Sequence, residues 1–166
     1  MDKVFISIGK NKQKKFQPDF DLDLIKEIGS NALNGAFAQT KFKGTFNLKN
    51  LEIIRESGMY SCFQNSTGIK EISFESLTTI EKKGMSLCFQ SNKEIQKVYF
   101  PKLITIFTSP NIFSKTNGGL YKIFENSSLK EVHFSESLSS HKQCTASNLG
   151  CSSSCVFFDL PLIETT

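Results

Sequence analysis

The stretch Gly58–Ile106, GMYSCFQNSTGIKEISFESLTTIEKKGMSLCFQSNKEIQKVYFPKLITI, states one short pattern twice. Gly-Met, two residues and Cys-Phe-Gln lead into an alternating apolar run, then a Leu and an Ile, and the second copy starts 26 residues after the first. The spacing extends in both directions. Phe20, Phe46, Ile72 and Val98 stand 26 apart, as do Leu22, Leu48, Phe74 and Phe100. Ile25, Leu51, Leu77 and Leu103 keep the same interval of 26, and so do Ile28, Ile54, Ile80 and Ile106. Upstream of each run Leu33, Met59 and Met85 align, then Ala36, Cys62 and Cys88, then Phe37, Phe63 and Phe89. The register slips by eight to Val132 and Phe134, and 26 further on come Phe158 and Leu160. Ile163 closes the last set at the position of Leu103.

A period of 26 lies inside the range of leucine-rich repeats. GIKEISF (68–74) and EIQKVYF (94–100) alternate apolar and polar residues, which predicts short strands with one face inside. GMYSCF and GMSLCF place apolar residues at i, i+3 and i+4 from Met, which suits one helical or 3₁₀ turn. One repeat cannot fold alone. About seven inward side chains at roughly 2 kcal/mol each do not offset ordering some 26 residues at about 1 to 2 kcal/mol apiece, so repeats must share their faces. Sharing pairs each strand with the next in a parallel ladder.

The expected fold is therefore a single right-handed leucine-rich-repeat solenoid, with a parallel sheet on one face and short helical or 3₁₀ turns on the other. Residues 1–19 read as an N-terminal cap in which VFISI (4–8) is a capping strand, and 20–106 as regular repeats. Residues 107–122 form an insertion loop marked by Pro110 and Gly118-Gly119, and 123–166 are divergent repeats in which Leu149 takes the place of the closing Phe. The last repeat ends at Thr166 without a polar cap, which predicts end-to-end self-association or a continuing array.

Composition agrees with a packed domain. Of 166 residues, 39% are apolar and 22% charged, and with 16 Phe and no Trp the aromatic packing falls to Phe. The net charge of +4 does not demand an anionic partner. No apolar run is long enough to span a bilayer, and MDKVFISIGKNKQKKF lacks the apolar stretch of a signal peptide. The compartment is thus left open by the residues themselves.

GSNALNGAF (29–37), SGMYSCFQNSTGIKEISFESLTTIEKKGM (57–85) and KVYFPKLITI (97–106) resemble the BspA-like leucine-rich repeats of bacterial surface proteins, with their "AF or CF" turn and "FP-x-L-x-x-I" segment. The resemblance is close over residues 20–106 and loose over 123–166. It implies a non-enzymatic module for adhesion or protein interaction, cell-surface or secreted, without a cofactor.

Other chemistry was weighed against plainer readings. Cys62 and Cys88 share a repeat position held by Ala36, where a small buried filler suits the site. Cys144, Cys151 and Cys155 crowd the most divergent repeat; a Cys151–Cys155 disulfide is open to them, but their spacing lacks paired C-x₂-C clusters. A small metal-binding or hydrolytic protein would use those cysteines with His133 and His141, the two imidazoles. In KEVHF, however, Val132 and Phe134 face inward, which puts His133 outward as a solvated residue on an open sheet. Lys10, Lys12, Lys14 and Lys15 offer weak nucleic-acid binding, yet no aromatics interleave for base stacking, and no nucleic-acid partner is expected. Asn65 and Asn126 carry glycosylation sequons that matter only on a eukaryotic export route.

The broadest surface is the sheet. Its outward middle lane reads Asp21, Asn47, Ser73, Tyr99, His133 and Asp159, and the neighbouring lane Asp19, Thr45, Glu71, Lys97, Glu131 and Phe157. Such mixed lanes suit a protein or glycan touched by Tyr99, His133 and Phe157 better than a regular lattice.

Overall fold

The computed structural model describes residues 24–42, 48–107, 117–138, 146–150 and 156–160, with 146, 147 and 156–160 described by backbone alone. Two parallel sheets run through them. In Glu71–Ser73 (β3) the alternation buries Ile72 and leaves Glu71 and Ser73 outside. Lys97–Phe100 (β5), Glu131–Ser135 (β7) and Val156–Leu160 (β8) continue that sheet in the order β3-β5-β7-β8. Ile72 lies opposite Val98, and Val98 opposite Val132.

A second sheet occupies the stretch read from sequence as a bend. Its strands Glu27–Ile28 (β1), Ile53–Ile54 (β2), Thr79–Ile80 (β4) and Thr105–Ile106 (β6) have two residues each and pair in the order β1-β2-β4-β6. Strands this short show no alternation. Ile28, Ile54, Ile80 and Ile106 nevertheless fall in register with one another and are all buried.

The GMxxCF segments build a third hydrogen-bonded layer, and it is neither helical nor 3₁₀. The Cys62 amide donates to Met59 O within its own repeat at 3.1 Å, while the next amide, Phe63, donates to Cys88 O of the following repeat at 2.8 Å. Amides alternate in this way from Asn31 to Thr40 and from Ser57 to Ser66. Every fourth residue adopts a left-handed backbone, at Asn31, Gly35 and Gln39, at Ser57, Ser61 and Asn65, and at Lys83, Leu87 and Ser91. The result is a ribbon of overlapping β-turns. Its apolar side chains recur as on a helix, but half its donors serve the neighbour and so hold repeat to repeat.

The interior between these layers is built from columns of like residues. Phe37, Phe63, Phe89 and Phe124 stack with centroid spacings of 5.6, 5.3 and 5.9 Å, and Phe74, Phe100 and Phe134 with spacings of 5.2 and 5.5 Å. Ring planes within 15° of parallel at this distance are offset stacks that fill the space between successive ladder strands. Below them Gly58, Gly84 and Gly119 receive the isoleucine column: a Cβ on Gly84 would lie 2.7 Å from Ile80 Cγ2.

Strand pairing across the insertion steps 34 residues, from Val98 to Val132, eight more than between Ile72 and Val98. On the ribbon the Met85 amide reaches Gly119 O, 34 residues on, where the Met59 amide reached Gly84 O, 25 on. Nine residues therefore enter before Gly119, and one is lost again between Phe124 and β7. Positions 108–116 of the loop lie outside the described residues, as do the capping strand 4–8 and the chain end at 161–166.

At the last repeat the expected register is off by one. β8 sets Phe157 opposite Val132, Phe158 opposite His133 and Asp159 opposite Phe134. Phe157 and Asp159 thus stand at the register positions of inward residues, and not beside Glu131 and His133 as the 26-residue spacing implied. A short helix, Ala146–Leu149 (α1), replaces the open turns here. Lys122 N donates to Asn148 O at 2.8 Å and Phe124 N to Leu149 O at 2.9 Å, so donors two residues apart meet acceptors one residue apart. The repeat is shortened accordingly. Leu149 is buried at the position of Cys88 and Ile123, one before the closing Phe, and Gly150 follows with φ 72°. No helix among the described residues is long and apolar enough to cross a membrane.

Candidate interaction surface

The outward residues of β3, β5 and β7 form two lanes fixed by the strand register. Ser73, Tyr99 and His133 follow one another at single-strand steps, beside Glu71, Lys97 and Glu131. Parallel strands bring such neighbours within side-chain reach. Tyr99 and His133 use that reach to stack, with ring centroids 4.5 Å apart and planes within 18°. His133 Nε2 lies 3.3 Å from Glu131 Oε2, and Lys97 Nζ meets the same oxygen at 3.0 Å.

The electrostatics follow from this geometry. Lys97, and after it His133, hold the Glu131 carboxyl below the usual carboxylate range, and Glu131 in turn pushes the Lys97 ammonium upward. His133 is directed outward as expected, but its side chain is only 16% exposed, because the Tyr99 ring covers one of its faces. The solvated imidazole of the sequence reading is thus corrected to a half-buried one. The cluster presents a fixed aromatic pair with charges beside it.

Asp21 and Asn47 lie outside the described residues, and Phe157 and Asp159 belong to the shifted register of β8. His141, Cys144, Cys151, Cys155 and the N-terminal lysines also lie outside them. Cys62 and Cys88 are free, fully buried thiols, pushed up by desolvation and so held protonated. Among the described residues no three His, Cys, Asp or Glu side chains group to hold a metal ion.

Two polar ladders on the other layers escaped sequence reasoning. Arg55 donates to Glu27 at 2.9 Å and to Glu81 at 2.7 Å, tying three repeats together across β1, β2 and β4. On the ribbon Gln64 donates to Gln90, which donates at 2.5 Å to Glu125, which also receives Lys122. The recurrence of Gln at 64 and 90 was the available signal. No family model matches the chain, and neither a curated protein nor a solved structure does.

Proposed function

We propose that this chain is a leucine-rich-repeat solenoid of the BspA-like kind, working without catalysis as an interaction module that binds a protein or a glycan through its β3-β5-β7 face. Surface adhesion is the setting that the resemblance of its repeats implies. The observation that carries the reading is the stacked Tyr99–His133 pair beside the Lys97–Glu131 ion pair on an outward sheet. Large side chains already held in place lose little freedom on contact, and aromatic residues supply much of the binding energy of protein surfaces. Glu131 is occupied on both sides, which makes it a support for its neighbours and not a free base.

The test is selection of ligands from a glycan array and a random-peptide display library, followed by substitution. Ligands are expected to be lost with Tyr99→Ala and with Lys97→Glu, and retained with Lys83→Glu on the ribbon. Ligands that ignore both sheet substitutions and respond to Lys83→Glu would overturn the proposal.

A further inference from the structure

The Tyr99 ring has two faces, and His133 covers one. The other face looks along the lane toward β3, where the register neighbour is Ser73, a side chain too short to cover it. Glu71 stands two residues before Ser73 on the same side of β3, exposed, and its carboxylate has no hydrogen bond or ion pair among the described residues. Lys97, one strand across from Glu71, has its ammonium on Glu131. An open aromatic face, a hydroxyl and an unengaged carboxylate therefore converge on one side of Tyr99.

That combination has a definite complement. An aromatic face attracts a cation through its quadrupole, a carboxylate takes a guanidinium through two parallel hydrogen bonds, and a planar group fits the slot that Ser73 leaves. Glu71, Lys97 and Glu131 sum to one negative charge, which opposes an anionic ligand. A neutral sugar would use the ring face but would leave the carboxylate without its charge partner. We infer that the Tyr99–Ser73–Glu71 corner is a socket for an arginine side chain of a protein partner, the guanidinium stacked on Tyr99 and paired with Glu71. A second copy of the chain does not supply it, since the single arginine, Arg55, is held by Glu27 and Glu81.

The inference rests on the sheet being the binding face, and its test separates the two. The full chain with isotope-labelled tyrosine rings is titrated with N-acetylarginine methylamide, with its citrulline counterpart and with methyl glucoside, and read by NMR. The arginine probe should shift the Tyr99 ring signals saturably and leave those of Tyr60 and Tyr121 in place. Citrulline, which lacks the charge, should bind about tenfold more weakly, as should the arginine probe to Glu71→Gln. Glu71 is exposed, so this variant keeps the fold and stands in for Tyr99→Leu should that one unfold. Equal response to citrulline, shifts from the glucoside in place of arginine, or indifference to Glu71→Gln would overturn the socket. Sheet-dependent ligands recovered from the display or array without arginine would do the same while leaving the interaction face intact.

Discussion

Gly84 lies beneath Ile80 so closely that a Cβ on the glycine would stand 2.7 Å from the isoleucine Cγ2. Gly35 has nothing within 4 Å of the same point, but its φ is +64°. Alanine should fail at both positions for different reasons. Gly84→Ala is expected to cost about 1 to 3 kcal/mol through overpacking, in part relieved by Ile80→Leu, which removes the obstructing methyl. Gly35→Ala should cost about 1 kcal/mol from its backbone alone, with no rescue at any neighbour. Urea denaturation of the single and double variants checks both.

The stacked phenylalanines should show a gradient from middle to end. Phe89 lies between Phe63 and Phe124, fully buried, and its change to Ala should cost about 3 to 5 kcal/mol. Phe37, with ring partners Phe63 and Phe42, belongs to the first described repeat, and Phe37→Ala should cost less. The comparison is made by the same denaturation.

The pH profile should have two shoulders. Arg55 lowers Glu27, and Lys97 with His133 lowers Glu131, so these carboxylates stabilise the fold above the ordinary carboxylate range and cease to as the pH falls through their folded values. Lys97 and Lys122 are raised by Glu131 and Glu125, and their contribution is complete below the ordinary lysine value and lost as the pH climbs through the folded one. Thermal melts from pH 3 to 11 should decline at both ends, and Glu131→Gln should flatten each shoulder. The exposure of these groups makes both effects small and salt-sensitive.

Cys62 and Cys88 should resist alkylation in the native chain at neutral pH, since burial keeps both thiols protonated and out of reach. Mass spectrometry after iodoacetamide treatment, with and without denaturant, reads this directly. Labelling of either residue at the rate of a free thiol without denaturant would contradict the packing described.

Strand partners were readable because one interval governs a parallel ladder: once Ile72 and Val98 were matched, Ile54 and Ile80 followed. The register failed at Val156–Leu160 for an equally physical reason. VFFDL has apolar residues at both parities, so pattern cannot choose between Phe157 and Phe158 as the partner of Val132. The ribbon was misread because apolar residues at i, i+3 and i+4 fit a helical turn as well as alternating β-turns. Nothing in Ser57, Ser61 or Leu87 announces positive φ in the way glycine does. At the candidate face, lane membership of Ser73, Tyr99 and His133 was legible from alternation. The stacking of Tyr99 on His133 and the unengaged state of Glu71 depend on rotamers, which spacing does not encode.

The alternating amides of the ribbon also decide how the molecule would yield to mechanical load. Since every second donor is lent to the neighbouring repeat, tension applied at the two termini would peel the chain one layer at a time and not tear it as a whole. A layer of 26 residues releases about 90 Å of contour, and the layer carrying the insertion, at 34, about 120 Å. In a single-molecule force trace the insertion would be visible as one long step among shorter ones.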